Sequence, residues 1–240
     1  MRYEYLPWLV AFAAAIPFTA KNLNSYPHLQ FASDGKFSIT VFSDLHLGES
    51  RTHDKSPVQP CLTFSAGTGK GPEADRKTIG VMNSILDIEK PNMVVLNGDL
   101  ITCDNVAKEN VIPLIDQITA PLVDRSIPFA ATFGNHDMSR NCSTREMSEH
   151  MWNIQGKNKQ RLSWTTSSVP GPANEVGTSN YFVPVYSSDG SKLALMLYFF
   201  DSKGGPEFDT GDDVPKLVDD KVSLGCASAN TSCYAKVVIY

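Results

Sequence analysis

Apolar positions along this chain alternate between short extended runs and helical stripes. Phe37-Ser38-Ile39-Thr40-Val41-Phe42 is rich in β-branched and aromatic residues and ends on the polar turn Ser43-Asp44-Leu45-His46-Leu47-Gly48-Glu49, which predicts a strand delivering a polar tip. From Glu73 to Glu89 the residues Ile79, Met82, Ile85 and Leu86 recur at helical spacing, and Pro91 follows the helix end. Met93-Val94-Val95-Leu96 is a continuous apolar run of strand length that ends on Asn97-Gly98-Asp99. A second helical stretch around Val106 to Arg125 is expected to be interrupted at Pro113 and Pro121, because proline lacks an N–H and crowds the preceding turn. Ile127 to Thr132 then forms a short strand ending on Phe133-Gly134-Asn135-His136-Asp137.

Beyond this point, Thr144 to Gln155 reads as a helix with Met147, Met151 and Ile154 on one face, and residues 156–178 read as loop. Tyr181 to Val185 and Lys192 to Phe200 read as a strand pair around the turn Ser187-Ser188-Asp189-Gly190. Residues 50–72 show no periodicity and read as a surface excursion. Their Gly67-Thr68-Gly69-Lys70-Gly71 lacks the spacing of a phosphate-binding loop. The rhythm of strand, helix, strand, helix, strand predicts an α/β domain. Three successive strands carry polar residues at their C-terminal ends, where open α/β sheets place ligands.

The composition narrows the partners. With 240 residues, 42% of them apolar, the chain falls within the size range of one domain. A net charge of −5 with scattered Lys and Arg leaves no basic surface to neutralise a nucleic-acid backbone, so no nucleic-acid scaffold is expected. Residues 1–20 combine Arg2, an apolar run from Leu6 to Ala15 and small residues before Lys21, which is the grammar of a signal peptide. That run is shorter than the roughly 20 residues a membrane span needs, and Pro7 and Pro17 interrupt it, so no stable span is expected. The expected location is the secretory pathway, outside the cell or in the vacuole. Cys61, Cys103, Cys142, Cys226 and Cys233 show no metal-type pairing, and disulfides among them fit a secreted chain without an assignable connectivity. The sequons at Asn141 and Asn230 agree with secretion.

The strand tips carry the chemistry. In an extended strand, residues two apart face the same side, so Asp44 and His46 can reach one ion together. A carboxylate with an imidazole suits a borderline divalent metal such as Zn, Mn or Fe. Asp99 follows a glycine that permits a sharp turn, and its two oxygens can bridge to a second ion about 4 Å away. Asn135 adds a neutral oxygen ligand. His136 is placed to stabilise or protonate a leaving oxygen, with Asp137 expected to orient it. Alone, D-x-H, G-D and G-N-H-D are each ordinary turn chemistry. In this order, each after an apolar strand, they describe a kit for phosphoester hydrolysis.

FSDLH, LNGDL and TFGNHD together resemble the calcineurin-like metallophosphoesterase family, which includes the purple acid phosphatases. The surrounding text, LMLYFFDSKGG included, is most similar to the fungal and plant branch of Dcr2-like and purple-acid-phosphatase-29-like proteins. The resemblance covers roughly residues 37–221 and leaves 222–240 as an atypical tail. It implies a four-layer α/β/β/α sandwich, of which this chain is expected to hold the N-terminal and central part. It implies two divalent metal ions, the first held by Asp44, His46 and Asp99 and the second by Asp99 and Asn135. His136 then acts near the phosphate with Asp137 as its partner, on a phosphate-ester substrate. Purple acid phosphatases place a tyrosine ligand for Fe(III) where this sequence has Thr102, so no coloured Fe(III)-tyrosinate centre is expected. The family completes its site with a later lone histidine and a G-H-x-H motif, whereas this sequence has no histidine after His150. His28, His53 and His150 read as surface or structural histidines. The alternative expectation is a catalytically inactive, truncated fragment or pseudoenzyme of the same family.

Overall fold

The computed structural model describes residues 26–49, 71–139, 141–167 and 177–201, and the backbone of one strand near the C-terminus. The expected signal segment 1–20, nearly all of the 50–72 excursion, His53, Cys61, Cys226 and Cys233 lie outside the described residues. In chain order the elements are β1 (Leu29–Gln30), β2 (Ile39–Phe42), α1 (Pro72–Glu89), β3 (Met93–Asn97), α2 (Lys108–Arg125), β4 (Phe129–Thr132), α3 (Thr144–Trp152), β5 (Ser163–Trp164), β6 (Tyr181–Tyr186), β7 (Leu193–Phe200) and β8 (Lys236–Ile239). Short 3₁₀ turns occupy Cys103–Asn105 and Asn135–Asp137.

The helix boundaries follow local chemistry. Pro72 opens α1, with Glu73 and Asp75 in the first turn, where their charge opposes the exposed N–H dipoles. Ser143 caps α3, its hydroxyl accepting the Glu146 N–H at 3.3 Å. The expected interruption of α2 does not occur, for the helix runs unbroken through Pro113 and Pro121. Its stripe of Val111, Leu114, Ile115, Ile118 and Leu122 is buried against the sheet, and that burial outweighs the missing backbone bonds.

Strands β2, β3, β4 and β5 lie side by side in sequence order, and every pair is parallel. Crossovers of one hand in a sheet of consecutive order put all the connecting helices on one face. Accordingly Phe42, Val94, Leu96, Phe129 and Ala131 form one core with Met82, Leu86, Ile115, Ile118, Met147 and Met151 from the three helices. The other face presents Met93, Val95, Ala130 and Trp164 to a second sheet of order β1-β6-β7-β8, whose Leu29, Tyr181, Val183, Val185, Leu197 and Phe199 fill the space between. The Tyr181 hydroxyl donates to the Ala131 carbonyl at 2.6 Å and joins the sheets at the level of the strand ends.

The described residues thus form three layers of the α/β sandwich, and among them no helix covers the outer side of the second sheet. There Phe200 is 40% exposed. The strand pair read from the sequence is the antiparallel pair β6 and β7, with a register shift at Val185/Tyr186. The two-residue strands β1 and β5 lay in stretches without a strand pattern, and β8 adds residues of the atypical tail to β7. No helix among the described residues is long and apolar enough to cross a membrane.

The solvent-facing proline in α2 generates a prediction. A helix-interior proline costs about 3 kcal/mol relative to alanine, offset by up to about 1 kcal/mol of lost freedom in the unfolded chain. Pro113→Ala is therefore expected to raise the unfolding free energy by about 2 kcal/mol in urea denaturation. A destabilised variant would show that the ring supplies packing instead.

Candidate metal centre

The centre is built at the C-terminal ends of β2, β3 and β4, and its geometry begins in the backbone. Pairing between the first two strands continues past their ends. Asp44 N–H donates to the Gly98 carbonyl at 3.1 Å, His46 N–H to Asp99 at 3.0 Å and Leu47 N–H to Leu100 at 3.1 Å. Within this continuation Asp44, His46 and Asp99 adopt φ of 56°, 47° and 50°. That corrects the extended alternation expected for Asp44 and His46. They converge because each turns through the left-handed region, at a cost of order 1–3 kcal/mol per residue. Aspartate and histidine are among the side chains that tolerate it best.

Two glycines bring the third loop in. A Cβ on Gly98, at φ +78°, would meet the Gly134 nitrogen at 2.7 Å, and a Cβ on Gly134 would meet the Asp99 nitrogen at 2.7 Å. The backbones touch where side chains would stand. Asp137 locks this approach. One carboxylate oxygen accepts the N–H groups of Leu100 at 2.8 Å and Ile101 at 3.1 Å, and the other accepts the Gly134 N–H at 2.8 Å. Asp137 is fully buried, and burial pushes its pKa up to about 7 against the pull of those N–H donors. It therefore holds the two loops together and does not orient the His136 ring, as the sequence reading expected.

Further along, the disulfide Cys103–Cys142 spans a separation of 39 residues. It ties together the segments that follow Asp99 and Asp137, a constraint worth roughly 4 kcal/mol in the chain-entropy picture. The Ser139 hydroxyl donates to the Cys103 carbonyl at 3.0 Å and the Asn141 amide to the Val106 carbonyl at 3.1 Å, reinforcing the same seam.

On this frame Asp44, His46 and Asp99 each offer a ligand atom, all within 4.8 Å of one another. His46 Nε2 stands 3.9 Å from Asp44 Oδ1 and 4.0 Å from Asp99 Oδ2. Ligand atoms about 2.1 Å from a shared ion stand about 3.4 Å apart in a tetrahedron and no more than about 4.2 Å apart in any arrangement, so both His46 spacings lie within what one ion can span. The other ring nitrogen of His46 meets the Thr102 hydroxyl at 3.0 Å. Asp99 Oδ1 accepts the His136 N–H at 2.8 Å. Asn135 Oδ1 is buried with no hydrogen-bond partner among the described residues, and so is His136 Nδ1. An orphaned buried amide oxygen on the residue before His136, whose N–H binds Asp99, is what a neutral metal ligand looks like before its ion is counted. The His136 ring lies 5.0 Å from that of His46, nearly edge-on.

The residues therefore fit a cation. Two carboxylates and one imidazole gather within 4.8 Å of one another, and the loop after β4 adds the buried, unpartnered Asn135 oxygen. Elsewhere, His28 stacks on Tyr186 at 4.7 Å and His150 pairs with Asp116 at 2.6 Å, which agrees with structural roles for both. Thr102 and the disulfide were not legible as parts of the centre. The threonine registers in the sequence only as the position where a tyrosine is missing.

Two substitutions test the frame. Gly134→Ala drives a methyl into backbone that cannot yield and is expected to cost about 3 kcal/mol. Asp137→Asn keeps the acceptor for Leu100 and Ile101 but turns an amide N–H₂ toward Gly134, for a loss of about 1–3 kcal/mol. Urea denaturation of the metal-free proteins measures both, and wild-type stability in either would contradict the locking role.

Comparisons with known proteins agree with this geometry. The sequence model of the calcineurin-like phosphoesterase family matches residues 37–222. "Phosphatase DCR2" of Saccharomyces cerevisiae is 32% identical over 177 residues, which cover 72% of this chain and 28% of that protein. "Probable inactive purple acid phosphatase 29" of Arabidopsis thaliana is 27% identical over 194 residues, covering 78% of this chain and 44% of that protein. "Probable inactive purple acid phosphatase 28" of the same plant is 25% identical over 213 residues, covering 82% and 50%. The chain thus spans between about a quarter and a half of these relatives' length. With the match extending across the α/β core and every strand tip that carries a candidate ligand, the chain belongs to the calcineurin-like phosphoesterase family.

Proposed function

We propose that this protein is a divalent-metal-dependent phosphatase that hydrolyses phosphate esters at a two-ion site. One observation carries the proposal. Asp44, His46 and Asp99 hold left-handed backbone together, and their ligand atoms gather within 4.8 Å. A fold tolerates three such residues side by side when their side chains must converge, and strained, charged clusters of this kind mark functional sites. Asp44, His46 and Asp99 would hold one ion, and Asp99 with Asn135 would contribute to a second, of Mn, Zn or Fe type. Such ions supply Lewis acidity, stabilising charge on the phosphoryl oxygens and making a water acidic enough to attack near neutral pH.

The chain's own residues do the rest. The N–H of His136 is anchored on Asp99, which sets the imidazole at the rim of the centre beside His46. From there it can donate a proton to the leaving oxygen. Asp137 holds the backbone that positions His136 and Asn135. We place the protein in the secretory pathway, on the signal-like segment 1–20 and on the Cys103–Cys142 disulfide, a bond that persists in oxidising compartments.

The alternative is an inactive member of the family that keeps the fold. It draws support from the second-ion position, where the described residues contribute only Asp99 and Asn135, and from relatives whose names carry the word "inactive". Aryl-phosphate hydrolysis in the presence of Mn²⁺ separates the two. Activity is expected from the wild type, with a fall of about a hundredfold or more in Asp99→Asn. A metal-loaded wild-type protein with no turnover would establish the inactive reading.

A further inference from the structure

The position that departs from the purple-acid-phosphatase pattern has a partner of its own. Thr102 is buried, and its Oγ1 lies 3.0 Å from His46 Nδ1. The opposite ring nitrogen, Nε2, faces Asp44 and Asp99. An imidazole that binds a cation through one nitrogen carries its proton on the other, and that N–H needs an acceptor fixed in space. Among the described residues, the Thr102 hydroxyl lies within reach as that acceptor. We infer that Thr102 is a positioning residue for the candidate metal centre, holding the His46 ring with Nε2 turned to the carboxylates. This inference rests on the reading of that centre as a divalent-cation site.

The backbone makes the assignment specific to the hydroxyl. Thr102 N–H donates to the Leu47 carbonyl at 3.0 Å, its own carbonyl accepts the Asn105 N–H at 2.9 Å, and the disulfide begins at the next residue. Leu47 and Ile101, neighbours of His46 and Thr102, form a parallel bridge and are fully buried. The approach of residue 102 to residue 46 is thus set by main-chain bonds and packing, and removing the hydroxyl should leave the loops in place. What it releases is rotation of the ring. A neutral acceptor also orients His46 without adding a third negative charge beside Asp44 and Asp99.

Calorimetric titration of the metal-free full chain with Mn²⁺ tests the inference, on wild type, Thr102→Val and Thr102→Ser. Valine keeps the shape and deletes the acceptor, whereas serine keeps the acceptor. Thr102→Val is expected to weaken Mn²⁺ binding about tenfold or more, as loss of a supporting partner of a metal ligand does. Thr102→Ser is expected to stay within about threefold of wild type. Thermal unfolding of the same metal-free proteins reads stability separately. If the serine variant binds as poorly as the valine variant, or if valine binds like wild type, the positioning role is overturned while the metal reading stands. If wild type itself takes up no Mn²⁺, the metal reading falls, and the inference with it.

Discussion

Everything at this centre depends on one close approach, the backbone of Gly98 against that of Gly134. Neither loop carries enough donors to hold an ion alone. The loop after β3 brings Asp99 and the loop after β4 brings Asn135 and His136, and the two meet because no side chain stands between them. Asp137 then converts proximity into connection, its carboxylate receiving N–H groups from both loops. A polar residue with this many buried donors is a structural commitment, because removing it leaves three N–H groups without partners.

The strain at Asp44, His46 and Asp99 has its counterweight directly beneath. Leu47, Leu100 and Ile101 are fully buried and follow His46 and Asp99 in sequence. Their burial, with the main-chain bonds between the two loops, fixes the turn that the ligand residues would relax if left alone. Ligand geometry and core packing are therefore one arrangement seen from two sides. Charge enters the same balance, since Asp44 and Asp99 stand close together and a cation relieves what the backbone enforces.

How much of this was legible in the sequence depended on how local each feature is. The strand tips and helices could be read because periodicity and turn residues lie within a few positions of one another, and α1 and β3 fall where their patterns put them. The gathering of Asp44, His46 and Asp99 was expected, but for the wrong backbone reason: extended alternation was assumed where left-handed turns occur. Asp137 was assigned to its neighbour in sequence, His136, whereas its partners lie up to 37 residues away across the loop contact. The Thr102 contact with His46 spans 56 residues and the disulfide 39, distances over which a single sequence carries no pairing signal. The unbroken α2 shows packing overriding a local rule, and β1 and β5 are too short to make a pattern.

The consecutive order of β2, β3, β4 and β5 has a consequence for how the chain assembles. Each strand pairs with the next one in the chain, with Ile39 opposite Met93, Val94 opposite Phe129 and Phe129 opposite Ser163, so the sheet that bears the centre can grow outward by closures shorter than the one that joins β1 to β6. The second sheet follows another schedule. β1 pairs with β6, which lies more than 150 residues downstream, with Leu29 opposite Val185. During synthesis the tips that carry Asp44, Asp99 and Asn135 can come together while β1 still has nothing to pair with. The rim that carries the candidate ligands can thus form before β1 and β6 pair behind it.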